Sequence, residues 1–198
     1  MKDGVKTTEA KNASEWRKWL GENHDKEKSV WLIIYKKGLD KPSVYYDEAV
    51  DEALCFGWVD SKPNKRDEES YYQFFSKRNP KSNWSAVNTA KVERVVKARK
   101  MADPGLEMVR IAKETGTWDA LNDVENLVIP KDLRIEMLNY PKATDHFEAF
   151  PKSTKRGILE WIFNAKRAET RAKRIHATAK LANDNIRANQ YWQPKEKK

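Results

Sequence analysis

The sequence predicts an α+β fold: a small antiparallel sheet of about three strands with packed helices, followed by a helical C-terminal unit. Three observations predict it. The β-branched and aromatic run SVWLIIYKK at 29–37 reads as a strand buried on both faces. The runs at 58–65 and 70–76 flank a charged connection, Arg66–Glu69, and read as an antiparallel hairpin. From residue 83 onward the pattern is helix after helix, separated by Pro, Gly and Asp punctuation.

At 198 residues the chain is long enough for one good core, or for one domain with an appended helical unit. Hydrophobic residues make up only 39% and charged residues 35%. Eight Trp, seven Tyr and six Phe offset this, because each buried aromatic removes a large area from water.

Taken in order, residues 1–11 are polar and predicted to fray. Asn12 can cap a helix over 13–21 that places Trp16, Trp19 and Leu20 on one face and stops at Gly21. After the strand at 29–37, Gly38–Ser43 is a turn region, with Pro42 barring helix just before it. Asp47 can cap a helix with Ala49, Val50, Ala53 and Leu54 inward, ending at Gly57. The hairpin follows, then a helix over about 83–100 and another opened by Asp103-Pro104-Gly105. Short helices are expected after Pro130 and over 143–149. A last long helix is expected from Thr154 to about Leu181. The expected organisation is an α+β domain over 12–140, a helical unit over 141–183 packed on it, and a polar basic tail over 184–198, in which Tyr191 and Trp192 stand out.

Several chemistries are excluded. His24, His146 and His176 lie far apart, with no second His or Cys at ligand spacing, so no metal site is expected. The seven glycines are scattered as turn punctuation, which leaves no phosphate loop, and no nucleophile elbow is present; no cofactor is expected. Cys55 is the sole cysteine, so an internal disulfide is impossible; near a helix C-terminus it reads as a buried, unreactive thiol. No apolar run suits a signal peptide or spans a bilayer, and a cytoplasmic protein is expected.

The net charge of +9 is unevenly placed. The last 47 residues hold 13 Lys/Arg against 4 Asp/Glu, and the preceding chain balances at 26 of each. Within the last helix Arg167, Arg171 and Arg174 fall on one face at i, i+4, i+7, joined by Lys166 and Lys173, and form a candidate anion-binding ridge. The other candidate site is the stretch Tyr46–Asn88. Trp58, Asp60 and Lys62 alternate along one strand and should share a face. Arg78, Trp84 and Asn88 follow at the strand-to-helix junction, near a helix N-terminus that favours anions. These six are ligand-binding candidates, with Asp60 as the acid/base candidate should the cleft be catalytic. Each pattern also suits an ordinary sheet edge or a solvated helix face.

Two long blocks carry a resemblance. EALCFGWVDS at 52–61 followed by YYQFFSKRNPKSNWSAVN at 71–88 resembles the central signature of the YdeI/OmpD-associated, or bacteriocin-protection, family. FEAFPKSTKRGILEWIFNAKRAETRAKRI at 147–175 is similar to that family's C-terminal element. The resemblance spans about 12–185 and departs from the family pattern at Ser76-Lys77-Arg78 and Arg99-Lys100-Met101. It implies a role in protection against bacteriocins or cationic antimicrobial peptides, and implies no catalytic residues. A cationic chain meets cationic peptides unfavourably, so the role implied is an indirect one.

The leading expectation is therefore a non-enzymatic protein that binds an anionic partner: a nucleic acid, an acidic protein or a small anion. The alternatives are an enzyme or small-ligand binder using the cleft around Asp60 and Trp84, and a nonspecific nucleic-acid-associated protein using the basic C-terminal helix.

Overall fold

Thr7–Glu9 (β1), Ser29–Tyr35 (β2), Trp58–Lys65 (β3) and Ser70–Lys77 (β4) form one mixed sheet in the order β1-β2-β4-β3 in the computed structural model, which describes residues 1–190. The central pair β2 and β4 is antiparallel, with Val30 opposite Phe75 and Leu32 opposite Gln73. β3 pairs with β4 as the predicted hairpin. β1 runs parallel to β2, and corrects the expectation of about three strands. Its sequence, Thr-Thr-Glu, has little strand signal of its own. The demand comes from β2, whose buried edge would otherwise leave backbone donors and acceptors unpaired.

Residues Met1–Ala120 form one compact unit. Ala13–Asn23 (α1), Tyr46–Cys55 (α2), Ala86–Lys97 (α3) and Asp103–Glu114 (α4) are its helices. Asn12 caps α1 as predicted, its side-chain oxygen accepting from the Glu15 N–H at 3.0 Å. Helix α2 begins one residue before the predicted cap Asp47, and the Glu48 carboxylate accepts from the Tyr45 N–H at 3.3 Å instead. One sheet face presents Val30, Leu32, Ile34, Trp58 and Phe75 to a core completed by Trp16, Leu20, Ala49, Val50, Ala53 and Leu54. The indoles buried there stay hydrogen-bonded: Trp16 Nε1 donates to the Ala49 carbonyl at 3.0 Å and Trp58 Nε1 to that of His24 at 3.3 Å.

The α2–β3 corner needs glycine twice. Gly57 takes φ +71°, and Gly105 at the start of α4 lies against the end of α2. A Cβ on Gly105 would sit 2.7 Å from the Cys55 carbonyl carbon and 2.8 Å from the Leu54 oxygen. The same approach lets the Ala102 N–H donate to the Cys55 carbonyl at 3.1 Å.

From Leu121 onward the chain forms a second unit. It holds Asn122–Glu125 (α5), Lys131–Met137 (α6), Ala143–Ala149 (α7), Lys152–Phe163 (α8) and Ala168–Asn183 (α9). The two compact units divide between Ala120 and Leu121, and Val124, Leu133 and Met137 share their core with Phe147, Ile158, Ile162, Ile175 and Ala179.

The single last helix predicted over 154–181 is two helices. Asn164 closes α8, and Arg167, with extended φ −107° and ψ 138°, opens α9. A continuous helix of about 30 residues would run roughly 45 Å and carry its two ends away from one another. Folded back, both halves line one core. The expected polar tail is also partly packed: Ala188 is buried, and the Ile186 N–H donates to the Leu181 carbonyl at 2.9 Å. Tyr191 and Trp192 lie outside the described residues.

Candidate ligand-binding site

Asp60 sits on β3 opposite Phe75, on the sheet face that α2 covers. The first turn of α2 crosses above it, and Tyr46 Oη donates to Asp60 Oδ2 at 2.7 Å. Burial and then this hydrogen bond push the Tyr46 phenol above its ordinary pKa, since a phenolate beside Asp60 would be doubly disfavoured. Asp60 is thus held by a hydroxyl and forms no ion pair among the described residues.

Arg78 ends the hairpin, with its N–H donating to the Gly57 carbonyl at 2.9 Å. The residue is 6% exposed, and its guanidinium carbon lies 3.6 Å from the centroid of the Trp84 ring. Nη2 donates to the Asn83 carbonyl at 2.7 Å, and Nε has no acceptor among the described residues. Burial draws the guanidinium down to about 10, an effect that the Asp60 charge opposes. Arg78 therefore stays charged at neutral pH while shut away from water.

The structure brings together Asp60, Arg78 and Trp84 of the six ligand-binding candidates. Trp84 is 3% exposed, with Arg78 on one side and Trp118 at 5.0 Å, so it offers no open ring face. Trp58 is likewise core, 1% exposed. Lys62 does not share a face with Asp60. A bulge between Asp60 and Pro63 turns the strand over, and the Lys62 ammonium lies 6.0 Å above the Trp31 ring on the other side of the sheet. Asn88 occupies the first turn of α3, where its N–H is capped by Ser85 Oγ at 3.3 Å.

The open space lies next to Tyr46. A cavity of about 360 Å³ is lined by Tyr35, Lys36, Lys37, Tyr45, Tyr46 and Tyr71, together with Asp47 and Glu48. Those two acids are engaged: Asp47 pairs with Lys91 at 3.3 Å, and Glu48 holds the Tyr45 N–H. Lys36 and Lys37 form no ion pair among the described residues, and the Lys37 ammonium lies 5.2 Å above the Tyr45 ring. The cavity therefore offers phenol rings, hydroxyls and two available positive charges. Sequence reading missed it because its lining comes from β2, α2 and β4, and no local spacing joins Tyr35, Tyr46 and Tyr71.

The basic ridge of the last helix is dispersed by the helix break. Arg171 makes a two-pronged pair with Asp132 at 2.7 and 3.0 Å and holds that carboxyl below its usual range. Arg174 donates to the Trp161 carbonyl and lies 5.0 Å over the Trp161 ring. Lys173 pairs with Glu169 at 2.6 Å. Lys166 and Arg167 stand exposed in the turn between α8 and α9.

Cys55 is buried, and burial pushes its thiol up from the ordinary value. Among the described residues no group of three or more His, Cys, Asp or Glu could hold a metal ion, and no helix is long and apolar enough to cross a membrane.

Two family models match the chain. One, described as a Domain of unknown function (DUF8412), covers residues 8–108, just over half of the sequence. The other, described as Bacteriocin-protection, YdeI or OmpD-Associated, covers residues 126–185. The block at 52–88 thus falls in the first match and the block at 147–175 in the second. Compared with curated proteins and with solved structures, the chain matches none. The chain belongs to the family defined by that domain of unknown function, and its residues 126–185 carry a YdeI/OmpD-associated domain match.

Proposed function

We propose that the protein is a binding protein for a small anionic ligand that carries a ring, taken in the cavity beside Tyr46. One observation carries the reading: four tyrosines and two lysines that form no ion pair among the described residues converge on one cavity, where Asp47 is paired with Lys91 and Glu48 holds the Tyr45 N–H. Ring faces and hydroxyls would orient the ligand, while Lys36 and Lys37 would supply charge. The hydrogen bond from Tyr46 to Asp60 fixes the inner wall, and Asp60 acts there as an orienting acceptor. Protection against bacteriocins, named in the family description over 126–185, would then be indirect, since a chain of net charge +9 repels cationic peptides.

Calorimetric titration with adenosine monophosphate, adenosine and inorganic phosphate tests this. Adenosine monophosphate should bind best, and a Lys36→Glu/Lys37→Glu variant should lose that binding. No heat from any of the three at millimolar concentration, or equal binding by the variant, would remove the proposal.

A further inference from the structure

The sheet has a second face, and its aromatic side chains belong to neither buried apolar core among the described residues. Trp31, Tyr72 and Phe74 form an aromatic cluster there, with Trp31 opposite Phe74 and their ring centroids 4.8 Å apart; Tyr72 lies 6.0 Å from Trp31. Trp31 and Phe74 stand outside the apolar cluster beneath α1 and α2. What lies over the rings is charge. The Lys2 ammonium is 5.4 Å above Trp31 and 5.3 Å above Tyr72, Lys62 is 6.0 Å above Trp31, and the Arg66 guanidinium is 6.0 Å above Tyr72.

Two features set this face apart from an ordinary solvated sheet. Trp31 is 2% exposed, yet its Nε1 donor has no acceptor among the described residues. A buried indole N–H without a partner is uncommon and calls for an acceptor from outside. The cations are also loosely held by carboxylates: Lys2 has Asp3 at 3.5 Å, Arg66 has Asp67 at 3.7 Å together with Ser70 Oγ at 3.3 Å, and Lys62 has no ion pair among the described residues. The Lys2 group arrives on a short arm closed by paired 2.9 Å bonds between Lys2 and Val5, ahead of β1.

We propose that this face binds single-stranded nucleic acid. Rings on an open sheet face that carries Lys and Arg stack unpaired bases, and the cations take the phosphates. Here the ring faces are capped by the very groups that phosphates attract. A bound strand exchanges ammonium for base on each ring and moves the ammonium onto the backbone. Tyr72 and Phe74, two apart on β4, present rings about 6.6 Å apart along the strand. A phosphate or base oxygen supplies the acceptor that Trp31 Nε1 lacks. A duplex cannot use the rings because its bases are already stacked. The rings Trp31, Tyr72 and Phe74 do not line the cavity at Tyr46, and the proposal stands without that assignment.

The test is fluorescence anisotropy of labelled twelve-nucleotide oligo(dT), its duplex with oligo(dA), and anionic phosphatidylglycerol vesicles against the full chain over a salt series. Single strand should bind best, with affinity falling as salt rises. A Tyr72→Ser/Phe74→Ser variant should bind it at least tenfold more weakly, and Tyr72→Phe should restore that ring's share. Lys62→Ala should lower the salt slope by about 0.7, as expected for one lost phosphate contact on a single strand; this variant keeps the rings and reports even if the double variant fails to fold. Duplex binding as tight as single strand, vesicle binding without oligonucleotide binding, or an unaltered ring variant would each overturn the proposal.

Discussion

The Arg78 guanidinium lies over Trp84, 3.6 Å from the ring centroid, a buried cation whose companion is an indole rather than a carboxylate. A guanidinium removed from water costs free energy that stacking and one bond to the Asn83 carbonyl only partly offset. Arg78→Ala leaves a void against Trp84 and removes the bond to the Asn83 carbonyl, and should cost about 3 kcal/mol in urea unfolding. Arg78→Met fills the space without burying charge and should cost less than about 1 kcal/mol. Equal losses in the two variants would mean that the guanidinium itself holds the 78–84 turn.

Two glycines should respond oppositely to alanine. At Gly105 a methyl group meets the backbone of Cys55 and Leu54, which cannot yield without parting α4 from α2. Gly105→Ala should destabilise by roughly 3 kcal/mol. Gly157, inside α8, meets only a side-chain nitrogen of Gln190 at 3.5 Å. Gly157→Ala should stabilise by about 0.5–1 kcal/mol through helix propensity. Thermal melts of the two single variants check both signs.

The Arg171–Asp132 pair predicts acid sensitivity. Hydrogen bonding to Arg171 holds the folded-state pKa of Asp132 below its unfolded value. The folded protein thus binds the proton less readily than the unfolded chain. The pair's contribution is present above the unfolded pKa of about 4 and is lost as pH falls through the folded value. Both side chains are part-exposed, so it is worth no more than about 1 kcal/mol. Arg171→Met should therefore trail the parent at pH 6 and converge with it below about pH 3 in denaturant melts. A gap that stays constant with pH would assign the loss to packing instead.

What the sequence made legible was local. The hairpin, the Gly57 turn, the Asn12 cap and the amphipathic faces of α1 and α2 are each set by residues within a few positions of one another, and all are present. What it hid was set at a distance. Thr7–Glu9 is a strand because β2 needs a neighbour. Asn164–Arg167 contains good helix formers, yet the chain breaks there because α8 and α9 share one core. Lys62 was assigned to the face of Asp60 by strict alternation, which one bulge reverses. The site followed the same rule: Arg78 and Trp84, six apart, were readable as neighbours, whereas Tyr46 reaches Asp60 only through the packing of α2 on β3.

That last contact gives a prediction of its own. Burial first, and the Asp60 hydrogen bond second, keep the Tyr46 phenol protonated beyond the ordinary range. Tyr71, nearby on β4, is raised mainly by burial. Above pH 10 the folded protein therefore holds protons that the unfolded chain has released, so stability falls with rising pH in that window. Ultraviolet titration of phenolate absorbance should show at least two tyrosines resisting ionisation at pH 10–11 in the native protein and none in urea. Asp60→Asn removes the charge that penalises the phenolate but not the burial. It should lower the resistant Tyr46 step only part of the way, while Tyr46→Phe should delete that step. If Asp60→Asn leaves the titration unchanged, the hydrogen bond does not govern this phenol, and Asp60 loses its orienting role at Tyr46.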